Sequence, residues 1–438
     1  MHNPDPISWY RESAQTAEVS PELQGSVETD VCIVGAGVTG LSAAIELRKL
    51  GLSVVVVEAK TIGFGASGRN GGQVAVGQRR SQKSLEDWFG LTKAQELWKV
   101  GLESVNLVER LISEFQIECE LKRGSLFLAA SPRLSDALKA EVEHLQEHYQ
   151  HDSVSYLSRS DVSVETSALG VADGIKETRA LHLHPLKYAQ GLASAASALG
   201  AVIYENTPLQ QMDTQSNRLT LKTPDGDVSA HKLILACNAY LDQSTPQISA
   251  AIMPINNFMI ATEPLDQDTA DSITGSDLAL SDSQFVVNYW KLSADNRLLF
   301  GGGETYREQF PQDIAALVRP YLLQRYPHLA GAKITHAWGG RLAITRNRLP
   351  HVGHLNNQIY FAHGFSGHGL SMGTYSGCAI ARAIARAIGG DSEMLKPLME
   401  LDTKDFPGGR ALRWPMMAAG MLYYSLRDKL TPKVRSLV

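Results

Sequence analysis

Three glycines and one acid, at fixed spacing, are the residues of this chain best suited to hold a dinucleotide. Asp30 to Gly40 read DVCIVGAGVTG, an Ala/Leu helical pattern follows, and Ser53 to Glu58 read SVVVVE. Cys32 to Val34 is an apolar run fit for a buried parallel strand. Gly35 permits a tight turn, Gly37 lets backbone approach a pyrophosphate, and Gly40 lets the next helix pack closely. The helix start, with Ala36, Val38 and Thr39 around it, offers N–H groups and a partial positive charge to phosphates. Glu58, followed by Ala59, ends the second strand, where a carboxylate can accept hydrogen bonds from an adenosine ribose.

A second glycine-rich stretch follows at once: Gly63-Phe64-Gly65-Ala66-Ser67-Gly68-Arg69-Asn70-Gly71-Gly72-Gln73, five glycines in eleven residues. A nicotinamide enzyme has no need of it there, because its βαβ unit continues into another helix. A flavin does, since its ribityl chain and isoalloxazine extend the ligand and require backbone approach without side chains. A third element lies some 300 residues on: Tyr360 to His363 reads as a strand, then Gly364-Phe365-Ser366-Gly367-His368-Gly369-Leu370 leads into a long helix. Aimed at a flavin, that helix start would stabilise negative charge on the reduced ring. His363 and His368 could contribute, or serve as hydrogen-bonded structural residues.

These elements need a large scaffold. At 438 residues, 44% hydrophobic and 20% charged, the chain has the composition of a globular protein of about two domains. A net charge of −5 gives no basic field, which argues against nucleic acid as a partner. Four cysteines without CxxC spacing argue for a reducing compartment, here the cytoplasm, and against a disulfide framework or a metal site. No stretch is apolar enough to suggest a signal peptide or a membrane span.

Residues 1 to 28 read as an arm docked through Trp9 and Tyr10. Helical patterns occupy Leu102 to Phe115, Ser135 to Tyr149, Pro185 to Leu199 and Leu370 to Gly389. Strand patterns occupy Gly124 to Ala130, Ala201 to Tyr204, a hairpin about Pro224-Asp225-Gly226, and Lys232 to Ala236. Antiparallel signals follow at Asn257 to Thr262, Phe285 to Leu292 and Arg297 to Phe300, suiting a sheet that roofs a ligand. The expected fold class is α/β (α+β, two-domain), and the family resemblance that the glycine segments carry implies a Rossmann-like FAD-binding domain with an antiparallel substrate domain. The FAD domain is assigned to 1–85, 153–245 and 335–438, and the substrate domain to 86–152 and 246–334.

Together the three glycine segments resemble the FAD-dependent amine and amino-acid oxidoreductases related to D-amino acid oxidase and sarcosine oxidase. The likeness extends through His182-Leu-His184-Pro185, Ala236-Cys-Asn238-Ala239-Tyr240 and Leu292 to Gly303. The tail, Phe406 to Arg410 and Tyr423 to Asp428, is most similar to the branch acting on γ-glutamylated putrescine. Branches acting on L-pipecolate, sarcosine or other secondary amines are close alternatives. The resemblance implies FAD, held also by Ala236, Asn238 and Gly340, and hydride removal from a carbon next to an amine nitrogen. The resulting imine would hydrolyse, and electrons would pass to O2, giving hydrogen peroxide, or to a quinone.

Two departures from the family pattern matter. Some sarcosine oxidases bind flavin covalently through a cysteine near the stretch Trp338 to Thr345, which has none here, so the FAD is expected to be non-covalent. They also carry a substrate-binding lysine after the HG turn, where this chain has Leu370-Ser371, which disfavours sarcosine.

Such chemistry needs a neutral amine and good alignment rather than a strong base. Candidate pocket residues are Tyr289, Trp290, His368, Arg341, and Asn256 or Asn257. A Tyr–Trp pair could stack on an amine cation, or could be strand packing; Arg341 could hold a carboxylate, or an interdomain ion pair. Trp414 to Leu426 is amphipathic, a flap or a peripheral membrane contact. The favoured reading is an oxidase of a γ-glutamyl or other secondary amine. A membrane-associated amino-acid dehydrogenase and a non-catalytic FAD-binding subunit are the alternatives.

Overall fold

A computed structural model describes residues 7–14, 20–214, 217–241, 245–284, 286–305, 309–388, 390–409 and 415. Five parallel strands form the heart of the first sheet, in the order Ile359–His363, Gly226–Leu235, Gly25–Val34, Val54–Val57 and Val202–Tyr204. Their apolar runs follow from burial on both faces. Val54 and Val56 enter one core cluster and Val55 and Val57 another. Val31 and Ile33 part from Cys32 and Val34 in the same way, as the two-residue period of a strand requires.

The hairpin about Pro224-Asp225-Gly226 forms, but its second arm and the buried strand after it are one strand, Gly226–Leu235. That strand's first half pairs antiparallel with Leu219–Lys222, and its whole length pairs parallel with Gly25–Val34. Against one face of the sheet lie the helices Val38–Lys49 and Gly369–Ile384, from opposite ends of the sequence. Ser42 Oγ donates to Thr374 O at 3.0 Å where they meet, and an added Cβ at Gly377 would stand 2.2 Å from Thr39 O. The helices touch backbone to backbone.

The second sheet runs Ile334–Ile344, Met253–Thr262, Leu298–Thr305, Tyr289–Leu292, Ala279–Asp282, Lys122–Leu128, Gly174–His182 and Gln73–Val74, with Val154–Leu157 paired to Gly174–His182. It is antiparallel apart from Ala279–Asp282 on Lys122–Leu128. Strands 154–157 and 174–182, assigned above to the FAD unit, and strand 334–344, which straddles the expected boundary at 335, all pair in this sheet. Alternation identifies a strand but not the sheet that receives it. The glycine loop explains the crossing, because it ends in Gln73–Val74, already paired to Leu181 and His182.

Helix Ser135–Tyr149 occupies the expected residues, and the helix expected from Leu102 begins earlier, at Leu91. Helix Pro185–Ala198 is capped by His184, whose Nδ1 accepts from Lys187 N at 3.1 Å. The N-terminal arm docks as expected: Trp9 and Tyr10 are buried, with the Tyr10 ring 4.8 Å from His184 and 5.4 Å from Trp338. Phe285 and, residue 415 aside, the segment Trp414 to Leu426 lie outside the described residues.

Candidate active site

The carboxyl ends of the parallel strands deliver Gly364, Ala236, Gly35 and Glu58 to one edge of the sheet. Gly35 turns there with φ +109°, and an added Cβ would stand 2.8 Å from Ala236 O. Only glycine fits on both counts. Gly35 N donates to Val57 O at 2.9 Å, and Ala236 N to Val34 O at 2.9 Å, so the turn is stitched to both neighbouring strands. Asn238 Oδ1 accepts from Gly364 N at 3.1 Å, tying the C-terminal glycine turn to the same edge.

Glu58 Oε2 accepts from Ala36 N and Oε1 from Lys60 N, each at 2.9 Å. Burial pushes the Glu58 carboxyl up, and these backbone donors oppose the shift. Ala59 beside it is exposed. Helix Val38–Lys49 begins at Gly37 and helix Gly369–Ile384 at His368, and neither cap residue supplies a side-chain hydrogen bond. Two helix starts, glycine turns and a half-buried carboxylate on one edge fit the needs of a pyrophosphate and a ribose.

The loop from Gly63 to Gln73 folds over this edge and is fastened from within. Ser67 Oγ accepts from Val38 N at 3.1 Å. Asn70 Nδ2 donates to Ala66 O and Ser67 O, and its Oδ1 accepts from Gly72 N at 2.7 Å. Arg69 lies over the Phe64 ring and donates to Phe64 O and to Gly339 O. Gly340 sits beside it, with room for a Cβ only 3.4 Å from Arg69 Cβ. Gln73 Nε2 turns to Leu280 O at 2.9 Å. Gly65 lies against Tyr240, and Gly68 against Leu186 and Gly63. The side chains of Ser67, Arg69 and Asn70 thus fasten the loop, and Gln73 ties it to the second sheet.

The second sheet supplies the roof. Tyr289 lies between two glycines: added Cβ atoms on Gly71 and Gly301 would reach its ring at 2.6 and 2.2 Å. Its hydroxyl donates to Asn257 Oδ1, and Asn257 Nδ2 donates to Gly303 O at 3.2 Å. Trp290, expected as its partner, points to the other side. It stacks on Phe300 at 5.3 Å, and its Nε1 donates to Tyr326 OH at 2.9 Å inside the second core. The reason is elementary: neighbours on a strand face opposite ways. Arg341, opposite Asn256 in the sheet, lies 5.9 Å from the Tyr240 ring. Asn256 is buried and donates to Thr305 Oγ1 at 3.4 Å.

At the start of helix Gly369–Ile384, Phe365 and Leu370 are buried in the first core. Ser366, at φ +53°, donates to Gly364 O and accepts from Thr345 N. His368 is half-buried, and burial, then Arg79, brings its imidazole down to about 3. His363 is buried and shares a 2.9 Å hydrogen bond with His351, stacked on Phe361. It is a packing residue.

Sequence reasoning missed Arg79 and Glu304. A Cβ on Gly367 would stand 3.7 Å from Arg79 Nε, which puts the guanidinium against the GFSGHG turn. Glu304 lies opposite Asn257 in the sheet and acts electrostatically on both Tyr289 and Arg79. Neither belongs to a motif; a paired Arg79-Arg80 six residues past the glycine loop was the only signal. A cavity of about 470 Å3 lies further along the two helices, lined by Glu46, Lys49, Cys378 and Arg382, away from the glycine turns. Among the described residues no helix is long and apolar enough to cross a membrane.

The family described as "DAO: FAD dependent oxidoreductase" matches residues 30–383. Gamma-glutamylputrescine oxidoreductase of Escherichia coli is 36% identical over 424 residues, covering 97% of this chain and 98% of that protein. A probable oxidoreductase, OrdL, of Haemophilus influenzae is 34% identical, covering 96% and 97%. The crystal structure of glycine oxidase from Geobacillus kaustophilus superposes with a TM-score of 0.70 at 21% identity, over 82% of this chain and 95% of that one, which shows a shared fold. The chain belongs to the FAD-dependent oxidoreductase family typified by D-amino acid oxidase.

Proposed function

We propose that the protein oxidises the carbon beside the terminal amine of γ-glutamylputrescine, or of a similar γ-glutamyl amine, using non-covalent FAD in the cytoplasm and O2 as the final acceptor. One observation carries the reading. The glycine turns and Glu58 at the sheet edge lie beneath a roof that holds Tyr289 and Asn257. The 36% identity to an enzyme named for γ-glutamylputrescine supports the substrate class. The absence of cysteine from Trp338 to Thr345 supports dissociable FAD.

The chain's own residues bind and orient. Gly35, Gly37 and the helix start at Val38 would receive the pyrophosphate, and Glu58 the ribose. The loop backbone from Gly65 to Gly72 and the Gly364–Gly369 turn would flank the ring system. FAD held there would supply the two-electron oxidation of the substrate's C–N bond to an imine, with O2 as the final acceptor and hydrogen peroxide as its product. The Tyr289–Asn257 pair, fixed between two glycines, would set the amine's approach. Water then hydrolyses the imine to an aldehyde and ammonia.

The test is an anaerobic screen of flavin reduction with γ-glutamylputrescine, putrescine, pipecolate, sarcosine and D-amino acids. Rapid bleaching by γ-glutamylputrescine, with peroxide on admitting air, is expected. A response to sarcosine alone would overturn the substrate assignment, and reduction without peroxide would overturn the acceptor.

A further inference from the structure

We infer that the N-terminal helix Trp9–Ser13 is a strap that holds the FAD loop in place through Trp338, making Tyr10 and Trp338 positioning residues for the flavin. Their role presupposes the placement of FAD along Gly65–Gly72 proposed above, and accounts for how that loop is kept against the roof.

Loop and roof exchange two hydrogen bonds at one point. Trp338 Nε1 donates to Arg69 O at 3.0 Å, and Arg69 Nη1 donates back to Gly339 O at 3.2 Å. The bonded carbonyl lies two residues before Gly71, against which the Tyr289 ring packs. Trp338, Met259, Gly301 and Tyr289 stand opposite one another across four strands, so they share one face of the second sheet. The indole thus fixes the loop backbone beside the roof residue that faces it.

The helix wedges in behind this row. Trp9 and Tyr10 are buried in one cluster with Met259 and Trp338, and Tyr289 packs against that cluster. The Tyr10 ring meets Trp338 edge-on at 5.4 Å. In a close-packed interior that contact keeps the indole from turning away from Arg69 O.

Neighbouring contacts tie the helix to both sheets. Arg11 Nη1 donates to Thr61 Oγ1 at 3.0 Å, two residues before the glycine loop begins. Glu12 pairs with His336 of the roof strand at 2.9 Å, an exposed contact that contributes little. Ser13 Oγ meets His184 Nε2 at 3.0 Å. His184 Nδ1 already accepts from Lys187 N, so the ring proton sits on Nε2 and is donated to Ser13 Oγ, whose own hydrogen goes to Trp9 O. The helix is therefore anchored at its last residue and presses on Trp338 with its second.

An arm that only stabilised the fold would leave the cofactor site of the folded protein unchanged. A strap acting on Arg69 O sets the loop backbone that the flavin meets, so FAD affinity and the rate of flavin reduction report it directly.

The test compares Trp338→Phe with Trp290→Phe, the same chemical change on opposite faces of one sheet. Each keeps an aromatic ring and loses one indole N–H donor, to Arg69 O or to Tyr326 OH. FAD is titrated into each full-length apoprotein, with denaturant unfolding in parallel. Both variants should lose similar stability. Only Trp338→Phe should bind FAD about tenfold more weakly, and slow its reduction at saturating γ-glutamylputrescine by a similar factor. Tyr10→Leu should weaken FAD binding in the same direction, and the double variant should bind FAD no more weakly than Trp338→Phe alone. Ser13→Ala frees the helix from His184 without opening a cavity and should also weaken FAD binding, which keeps the strap measurable if Tyr10→Leu misfolds.

Trp338→Phe with an FAD affinity within about twofold of wild type, or Trp290→Phe weakened equally, overturns the positioning role. So does a double variant in which the two losses multiply, since the helix would then act by another route. Wild type that binds FAD but is not reduced by γ-glutamylputrescine overturns the substrate reading alone, because the FAD titrations still decide the strap. Wild type that binds no FAD overturns both.

Discussion

Replacing Glu58 with Gln isolates one interaction on which the cofactor assignment depends. The two carboxylate oxygens each accept one backbone N–H, from Ala36 and from Lys60. Gln keeps the shape but has a single acceptor oxygen, so one of these donors would face an amide NH2. The Lys60 N–H is exposed and can turn to water, so the single amide oxygen serves either Ala36 N or the ribose. A hydrogen bond from a ribose hydroxyl to a charged acceptor is worth roughly 1.5–3 kcal/mol. FAD affinity should therefore fall by roughly one to two orders of magnitude, at 1.4 kcal/mol per factor of ten.

The assay is titration of FAD into apoprotein, read by quenching of flavin fluorescence, with denaturant unfolding run in parallel to separate folding from binding. Because burial raises the Glu58 carboxyl, the sign of the pH effect follows. Burial makes that carboxyl easier to protonate in the folded apoprotein than an ordinary glutamate, whereas a ribose donor favours the ionised form. FAD binding should therefore weaken as pH falls into the raised carboxyl range, earlier than for an ordinary glutamate, and Gln should abolish that dependence. An FAD affinity in Glu58→Gln within about twofold of wild type, with pH dependence intact, would refute the ribose assignment.

Other outcomes follow from the same geometry. Gly40→Ala places a Cβ 2.0 Å from Gly35 O, so the protein should purify without stoichiometric FAD; full flavin content would contradict the close approach. Trp290→Phe should lower stability by about 1–3 kcal/mol through the lost Tyr326 hydrogen bond, while leaving the rate of anaerobic flavin reduction unchanged. Tyr289→Phe should change that rate with little loss of stability, and the reverse pattern would reinstate Trp290 as a pocket residue. Burial brings His182 and His184 down to about 3 and His351 to about 4. Their folded values lie below the unfolded value of about 6.5. Stability should therefore be full above that pH and fall as pH drops toward 4, by up to ~1.4 kcal/mol per pH unit per histidine. A denaturation midpoint flat from pH 7 to pH 4 would contradict this.

What could be read in the sequence was whatever rested on local necessity. Gly40 answers Gly35 O five residues back, and Glu58 answers Ala36 N within the same βαβ unit. Gly35 is marked by its tight turn, even though Ala236 O, far along the chain, also excludes a side chain there. The GFSGHG turn combines a strand end and a helix start that neighbouring residues define. The pairing of Tyr289 with Trp290 could have been rejected from sequence as well, since adjacent strand residues cannot share one pocket. Sheet membership was not legible for 154–157, 174–182 or 334–344, because alternation marks a strand without naming its neighbours. Arg79 and Glu304 were hidden for another reason. Each is an ordinary charged residue in its own segment, and only the folded chain brings the charge of Glu304 to bear on Arg79.

The most direct measurement is the visible spectrum of the purified protein during anaerobic addition of γ-glutamylputrescine. A yellow protein that bleaches rapidly and regains its colour in air is the expected result. A polypeptide that is colourless, and stays so when supplied with FAD, would contradict the account at its root.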